Sequence, residues 1–328
     1  MCVVRKCWAK ALGCLKLINK EINKEIKKRM GNCCCITSPT FSNKVALKFP
    51  HGKSGIEFSN LQKCFIDCID INVWLKNIYK SQTFTNWIVY NDQMKKVDKK
   101  TAHGNAHAKG LVAWNDVKIS WLCHSVPEFP SVFNGENGEI SDIDQSELVY
   151  GQSFQYVEIP YHNDKLCDIM NQLYIMEVNI VEEKNHLTFP KRKNNAINTL
   201  ILSDTVTHIA KSPKHQIDIY SQFIVIQYPH LWKVETWVRG HLIESEIPIS
   251  LRRVRDIKKI NYKDVCYNES QDHSKWAVSD SSFYCVGDLN RMTSQYNRGG
   301  GGFICDNKDI SHSLRELICK DDSISISI

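Results

Sequence analysis

Two histidine–x–lysine pairs, His107-Ala108-Lys109 and His273-Ser274-Lys275, each open the same kind of run. In extended backbone, residues two apart point to one side. Each pair therefore sets an imidazole beside an ammonium on one strand face. After Lys109 come the apolar Leu111–Trp114, the turn-like Asn115-Asp116, the run Val117–Cys123 and the polar His124-Ser125. After Lys275 come Trp276–Val278, the polar Ser279–Ser282, Phe283–Val286 and the landing Gly287-Asp288-Leu289-Asn290. Each reads as strand, tight turn, strand, polar landing, a weak internal repeat on the scale of half the chain. Two such pairs facing each other supply one nucleophile, one general acid and two cations. That set can cleave a phosphodiester without a metal.

The rest of the chain is compatible with such a scaffold. At 328 residues it can bury a sizeable core. Its 42% hydrophobic and 24% charged content is ordinary for a soluble globular protein. The formal charge of +6 and a pI near 8.5 favour an anionic partner without naming one. No apolar run approaches membrane-spanning length. Among 14 cysteines, Cys2, Cys7, Cys14, Cys33, Cys34, Cys35, Cys64 and Cys68 crowd the first 70 residues, without the spacing of a zinc site. Cys64 and Cys68 are expected on a buried helix face. The opening segment is basic, and Lys10 and Lys16 break Ala9–Ile18, so it lacks the apolar stretch of a secretory signal. Met30-Gly31-Asn32 faintly resembles an acylation start, but Cys35 stands where that motif takes Ser or Thr.

The pattern predicts strands over Lys44–Phe49, Trp87–Tyr90 and Phe154–Ile159, and helical spacing over Ile56–Tyr79. It predicts a helix over Asp164–Met176, a hairpin of Phe223–Gln227 with Lys233–Val238, and a closing helix over Ser311–Lys320. Lys95–Lys100, Asn134–Glu147, Lys184–Asn198 and Asn261–Asp272 read as polar connections. Four segments follow: a basic cysteine-containing leader, 1–32; an N-terminal half with the first pair, 33–165; a C-terminal half with the second, 166–320; and a tail, 321–328. Strands alternating with helices in two similar halves argue for an α/β architecture.

A lone His–x–Lys carries little weight, and a third, His51-Gly52-Lys53, follows Pro50 with no hairpin behind it. The second pair is more specific. His273-x-Lys275, then Asp280 five positions after the lysine, then Gly287-Asp288-x-Asn290, resembles the phospholipase D superfamily signature, with Asp288 in place of its serine. The first pair has Trp114 where the acid would stand; Asp116 lies two residues on, and Ser125 falls near the landing serine.

Longer blocks carry a closer resemblance. Ala106–Gly110, Trp121–Pro130, Tyr90-Asn91-Asp92-Gln93 and Tyr150–Phe154 resemble deoxyribonuclease II. So do Asp272–Trp276, Cys285–Arg291 and Arg298–Gly301. The resemblance covers roughly Lys44 to Cys305. It implies a phospholipase D-like fold, two similar α/β halves about a pseudo-twofold axis with a shared central active site. It also implies endonucleolytic hydrolysis of double-stranded DNA without metal or other cofactor, best in acid, leaving 3′-phosphate ends. The catalytic set carries over to His107, Lys109, His273 and Lys275, and His124 matches a further histidine of the family's active-site region. Asn290 and Arg298 are candidate phosphate ligands, Arg298 together with the backbone amides of Gly299–Gly302. Cys285 and Cys305 match a family disulfide pair, whereas Leu148 and Ala277 stand where other family cysteines occur. The resemblance also implies a secreted or lysosomal location, which the opening segment does not support; oligomeric state is open. Two rivals follow from the departures: a phosphodiesterase of the same superfamily acting on RNA or phospholipid, and a non-catalytic DNA-binding relative.

Overall fold

The computed structural model describes residues 41–59, 66–79, 84–93, 106–129, 140–184, 197–238, 253–263 and 265–319, all within the compact unit Pro39–Ile328. The leader 1–32, Cys33–Cys35, Cys64, Lys95–Lys100 and the tail 321–328 lie outside the described residues.

The strands of the described residues assemble into two large sheets and a small two-stranded one. The first holds β1 (Ser42–Lys48), β2 (Ser54–Ser59), β3 (Ile66–Asp70), β4 (Asn86–Tyr90), β5 (Gly110–Trp114), β6 (Lys118–His124), β7 (Gln152–Pro160) and β8 (Ile180–Lys184), in the order β3-β2-β1-β7-β6-β5-β4-β8. The second holds β9 (Ile197–Ser203), β10 (Val206–Lys211), β11 (Trp232–Thr236) and β12 (Val254–Asp256). After a small hairpin of β13 (Lys259–Tyr262) and β14 (Val265–Asn268), it adds β15 (Lys275–Ser279), β16 (Phe283–Gly287) and β17 (Gly300–Asp306). Its order is β12-β11-β15-β16-β17-β10-β9. The run β1-β7-β6-β5-β4 of one sheet has the same order and chain sequence as β10-β17-β16-β15-β11 of the other, antiparallel throughout.

The two sheets pack face to face. Val112, Trp114, Trp121 and Cys123 of the first meet Trp276, Val278, Tyr284, Val286 and Phe303 of the second in one core. The indole of Trp121 stands edge-on to Phe303 at 4.9 Å. The alternate residues Leu111, Ala113 and Leu122 face the other way, under helix α1 (Ile71–Tyr79). On the far side, Ala277, Cys285 and Ile304 lie under the helical turns Tyr220–Gln227. Helix α2 (Asn163–Met176) sends Leu166, Ile169, Met170 and Leu173 into the shared core, at the spacing of one helix face. It stops at Glu177, whose left-handed backbone (φ 55°) returns its N–H to Leu173 and Tyr174. Helix α3 (Lys308–Glu316) closes the chain's described part, capped by Asn307. The architecture is thus a mixed α/β fold with several sheets and few helices.

Several expectations change. Ile56–Tyr79 is not one helix: its first part forms β2 and β3, Cys68 lies in β3, and only Ile71–Tyr79 is helical. Pairing of β2 with β1 and β3 overrides the helical spacing there. Phe223–Gln227 is helical rather than one arm of a hairpin, and β11 pairs with β15 and β12 instead. The polar connection 261–272 contains part of the β13–β14 hairpin, and the closing helix begins at Lys308.

Candidate active site

Each His–x–Lys segment leads into the first strand of a hairpin, and each hairpin is closed by a polar side chain. Asn115 Oδ1 accepts from the amides of Val117 and Lys118, both at 2.9 Å, and turns β5 into β6. Ser279 Oγ accepts from Ser281 and Phe283 at 3.1 Å and turns β15 into β16.

The motifs are anchored crosswise. Before β5, Ala106 makes a parallel bridge to Gly299, at the head of β17 in the second sheet, and His107 N–H donates to Gly299 O at 2.7 Å. Before β15, Asp272 makes a parallel bridge to Gly151, at the head of β7 in the first sheet, and His273 N–H donates to Gly151 O at 2.9 Å. Neither anchor has room for a side chain as the neighbours stand, and at Gly299 the obstacle is backbone. A Cβ on Gly299 would strike the carbonyl oxygen of Met176, and one on Gly151 the carboxylate of Asp272.

Around the first motif, the carbonyl oxygen of Asp288 accepts from His107 Nδ1 at 2.6 Å. A carbonyl only accepts, so the proton is on Nδ1 and the Nε2 lone pair is left for chemistry. His107 Nε2 lies 3.9 Å from Asp92 Oδ2. Asp92 also pairs with Lys109 and, at 3.1 Å, with Arg298, whose guanidinium further donates to Ala106 O. Burial raises the Asp92 carboxyl, but Lys109, His107 and Arg298 outweigh it and hold the group well below the usual carboxylate range. Burial and the Lys109 ammonium push His107 well below its ordinary value. The Asp288 carboxyl, pushed up to about 6 by burial, accepts from Cys123 Sγ, the Gly301 amide and the Lys109 amide.

Around the second motif, the His273 ring lies between two aromatic rings. Tyr150 stacks on it at 4.1 Å and 8°, and Trp237 covers it at 3.9 Å and 38°. Lys275 donates from Nζ to His273 O at 2.8 Å and from its amide to Ser153 Oγ at 3.0 Å. Asp272 Oδ1 accepts from the Ser274 amide at 2.7 Å. Burial, then the charge of Lys109, lowers Lys275 to about 7, and Lys275 in turn acts on His107. The two motifs thus lie within electrostatic reach of each other.

The remaining predicted residues divide. Arg298 is clamped on Asp92 beside the first motif. Asn290 is 7% exposed, and its Oδ1 has no hydrogen-bond partner among the described residues. His124 ends β6, 2% exposed and stacked on Phe129 at 4.0 Å. Burial, then Lys109, pushes it well below its ordinary value. The glycine run is no phosphate-cradling loop: Gly300–Gly302 are strand residues of β17, all paired to β10, and Gly302 is paired to β16 as well. The expected Cys285–Cys305 bridge is not formed. Both thiols are free, and the register sets Cys285 opposite Ile304 and Cys305 opposite Tyr284, on opposite faces of the sheet. Asp280 and Asp116 are exposed at the hairpin turns, at the far ends of β15 and β5. Among the described residues no helix is long and apolar enough to cross a membrane.

Asp92 and Trp237 touch the motif side chains, yet the sequence assigns neither a role. Asp92 lies in a family-like block, but its partners are His107 and Lys109, just before β5, and Arg298, between β16 and β17. Nothing local marks Trp237.

The family model for deoxyribonuclease II matches residues 70–323. The chain belongs to the deoxyribonuclease II family. It is 31% identical to mouse deoxyribonuclease-2-beta over 261 residues, 70% of each chain. It is 28% identical to the cell-death-related nuclease 7 of Caenorhabditis elegans, over 74% of this chain and 70% of that one. It is also 29% identical to plancitoxin-1 of Acanthaster planci, over 74% of this chain and 73% of that one. This member of the family is thus a deoxyribonuclease-type hydrolase by descent, and both of its His–x–Lys motifs lie inside the matched span.

Proposed function

We propose that the protein is a metal-independent endonuclease that hydrolyses double-stranded DNA through a phosphohistidine intermediate. On this reading 33–165 and 166–320 are two phospholipase D-like halves about a pseudo-twofold axis, with one site between them. The crossed anchoring of the two motifs carries the proposal, because each half holds the other half's histidine and lysine.

In the first step His107 Nε2 attacks phosphorus while His273 gives its proton to the departing 5′-oxygen, and a histidine–phosphorus bond replaces the ester bond. In the second, water attacks phosphorus with His273 as base, and His107 leaves as a neutral ring, giving a 3′-phosphate. Lys109 and Lys275 bear on the non-bridging oxygens, Arg298 and Asn290 flank them, and His124 packs behind. The nucleophile must start neutral and the acid charged. Burial, then the Lys109 ammonium, pushes His107 well below its ordinary value and so favours the neutral ring that a nucleophile needs. Two aromatic faces attract a cationic ring, which suits His273 as the acid. Lys275, lowered to about 7 by burial and the charge of Lys109, loses its charge as pH rises through neutrality, so activity falls on the alkaline side and the acidic preference implied by the family fits.

The test is relaxation of supercoiled plasmid in EDTA at acidic pH, with end analysis. The expected products are nicked and linear DNA whose 3′ ends accept no polymerase until treated with phosphatase. Cleavage lost in EDTA and restored by Mg²⁺, or RNA or phospholipid turned over in place of DNA, would overturn the proposal.

A further inference from the structure

Two more lysines are buried outside the motifs, and they occupy equivalent places. Lys48 is the last residue of β1 and Lys211 the last of β10, the strands that flank β7 and β17. They are 1% and 0% exposed. Neither makes a carboxylate ion pair among the described residues. Lys48 Nζ donates to the carbonyls of Phe49 (2.8 Å), Gly52 (3.0 Å) and Leu148 (2.9 Å). Lys211 Nζ donates to those of His215 (3.1 Å), Tyr296 (2.9 Å) and Arg298 (2.6 Å). An ammonium has three donors, and here all three go to backbone.

Burying an ammonium for carbonyl partners alone is costly, and burial lowers both groups to about 8. A fold does not need two such groups at matching strand ends to fill space. What they grip is informative. Leu148 lies three residues before Gly151, the anchor of the second motif, and Arg298 immediately precedes Gly299, the anchor of the first. Lys48 is reinforced by the Gly52 amide on Leu148 O at 3.1 Å and the His51 amide on Val149 O at 3.1 Å. Lys211 holds the backbone of the residue whose guanidinium clamps Asp92 and Ala106.

We infer that Lys48 and Lys211 are positioning residues that act crosswise: Lys48, in the first sheet, sets the place of His273 and Lys275, and Lys211, in the second, sets the place of His107 and Lys109. Each works through the loop it clips and the glycine bridge at that loop's end. The inference rests on the proposal that the two motifs form one catalytic site. A displacement of about 1 Å at such a site costs about 100-fold in rate, so the clips matter although neither lysine reaches the reacting atoms.

The test compares Lys48→Met and Lys211→Met in the full chain carrying 13C-labelled histidine rings, with resonances assigned through His107→Gln and His273→Gln. Lys211→Met should shift the His107 ring signal and leave that of His273 in place; Lys48→Met should do the opposite. Each should lower kcat by about 10-fold to 100-fold with KM for duplex DNA within about threefold. The spectra hold their meaning even if the chain cleaves no DNA, so failure of the catalytic reading is told apart from failure of this one. If a methionine variant does not fold, the arginine variant at the same position keeps the donors but lengthens the clip, and should show the same crossed shift. Shifts confined to the motif of the same sheet, equal shifts in both rings, or none, would overturn the inference.

Discussion

Asp92 and Lys109 form an ion pair from which water is excluded, their side chains 6% and 5% exposed. The pair is where β4 meets the first motif, and it draws in Arg298 from the second sheet. Removing one partner of a buried pair leaves the other charge uncompensated and costs about 3–5 kcal/mol. Asp92→Asn should therefore lose about that much in urea unfolding. It should also lower kcat at least 10-fold, because Lys109, Arg298 and His107 lose their common acceptor.

The pH profile should depend on Lys275. Its value, lowered to about 7, means that the cation present in acid is lost as pH rises through neutrality. Activity should fall along that limb. Lys275→Arg, charged at every accessible pH, should move the limb upward even where it lowers the maximum rate. A limb that stays in place would assign it to another group.

The ring sandwich on His273 is a matter of faces rather than of the phenol. Tyr150→Phe should keep near-normal kcat, since the stacked ring remains. Tyr150→Ala and Trp237→Ala should each lower kcat roughly 10-fold or more, by loss of ring orientation. Single-turnover cleavage of a nicked-duplex substrate measures this without product release.

Asp288 makes a separate prediction for stability. Its folded value is raised to about 6, so the folded state keeps the proton longer than the unfolded chain. Its contribution is fullest below about pH 4 and declines as pH rises through 6, by roughly 3 kcal/mol in all. Asp288→Asn should flatten the pH dependence of unfolding free energy over that interval. An unchanged slope would contradict the shift.

The hairpins after the motifs were legible because their signals are local: apolar runs in alternation, with Asn115 and Ser279 at the turns. α2 was legible for the same reason. Ile56–Tyr79 was not, because its apolar residues fit both a helix and a pair of strands, and pairing with β1 decided between them. Phe223–Gln227 is a β-branched and aromatic run that folds as helical turns over the outer face of the second sheet. The site divides along the same line. His107, Lys109, His273 and Lys275 stand in short motifs. Asp92, Trp237, Lys48 and Lys211 take their meaning from sheet order, which brings β4 beside β5 and carries each landing loop to the opposite sheet. The bridge between Cys285 and Cys305 failed on register: one residue of offset sends neighbouring side chains to opposite faces.

On this reading the two distant motifs make one active site. Cleavage of plasmid DNA in EDTA by wild type, His107→Ala, His273→Ala and the double variant, at matched folded concentration, tests it most directly. Each single variant should lose nearly all activity and the double no more than either, because both rings serve one transition state. Duplex binding should survive in all three. A single variant that cleaves at the wild-type rate would contradict it.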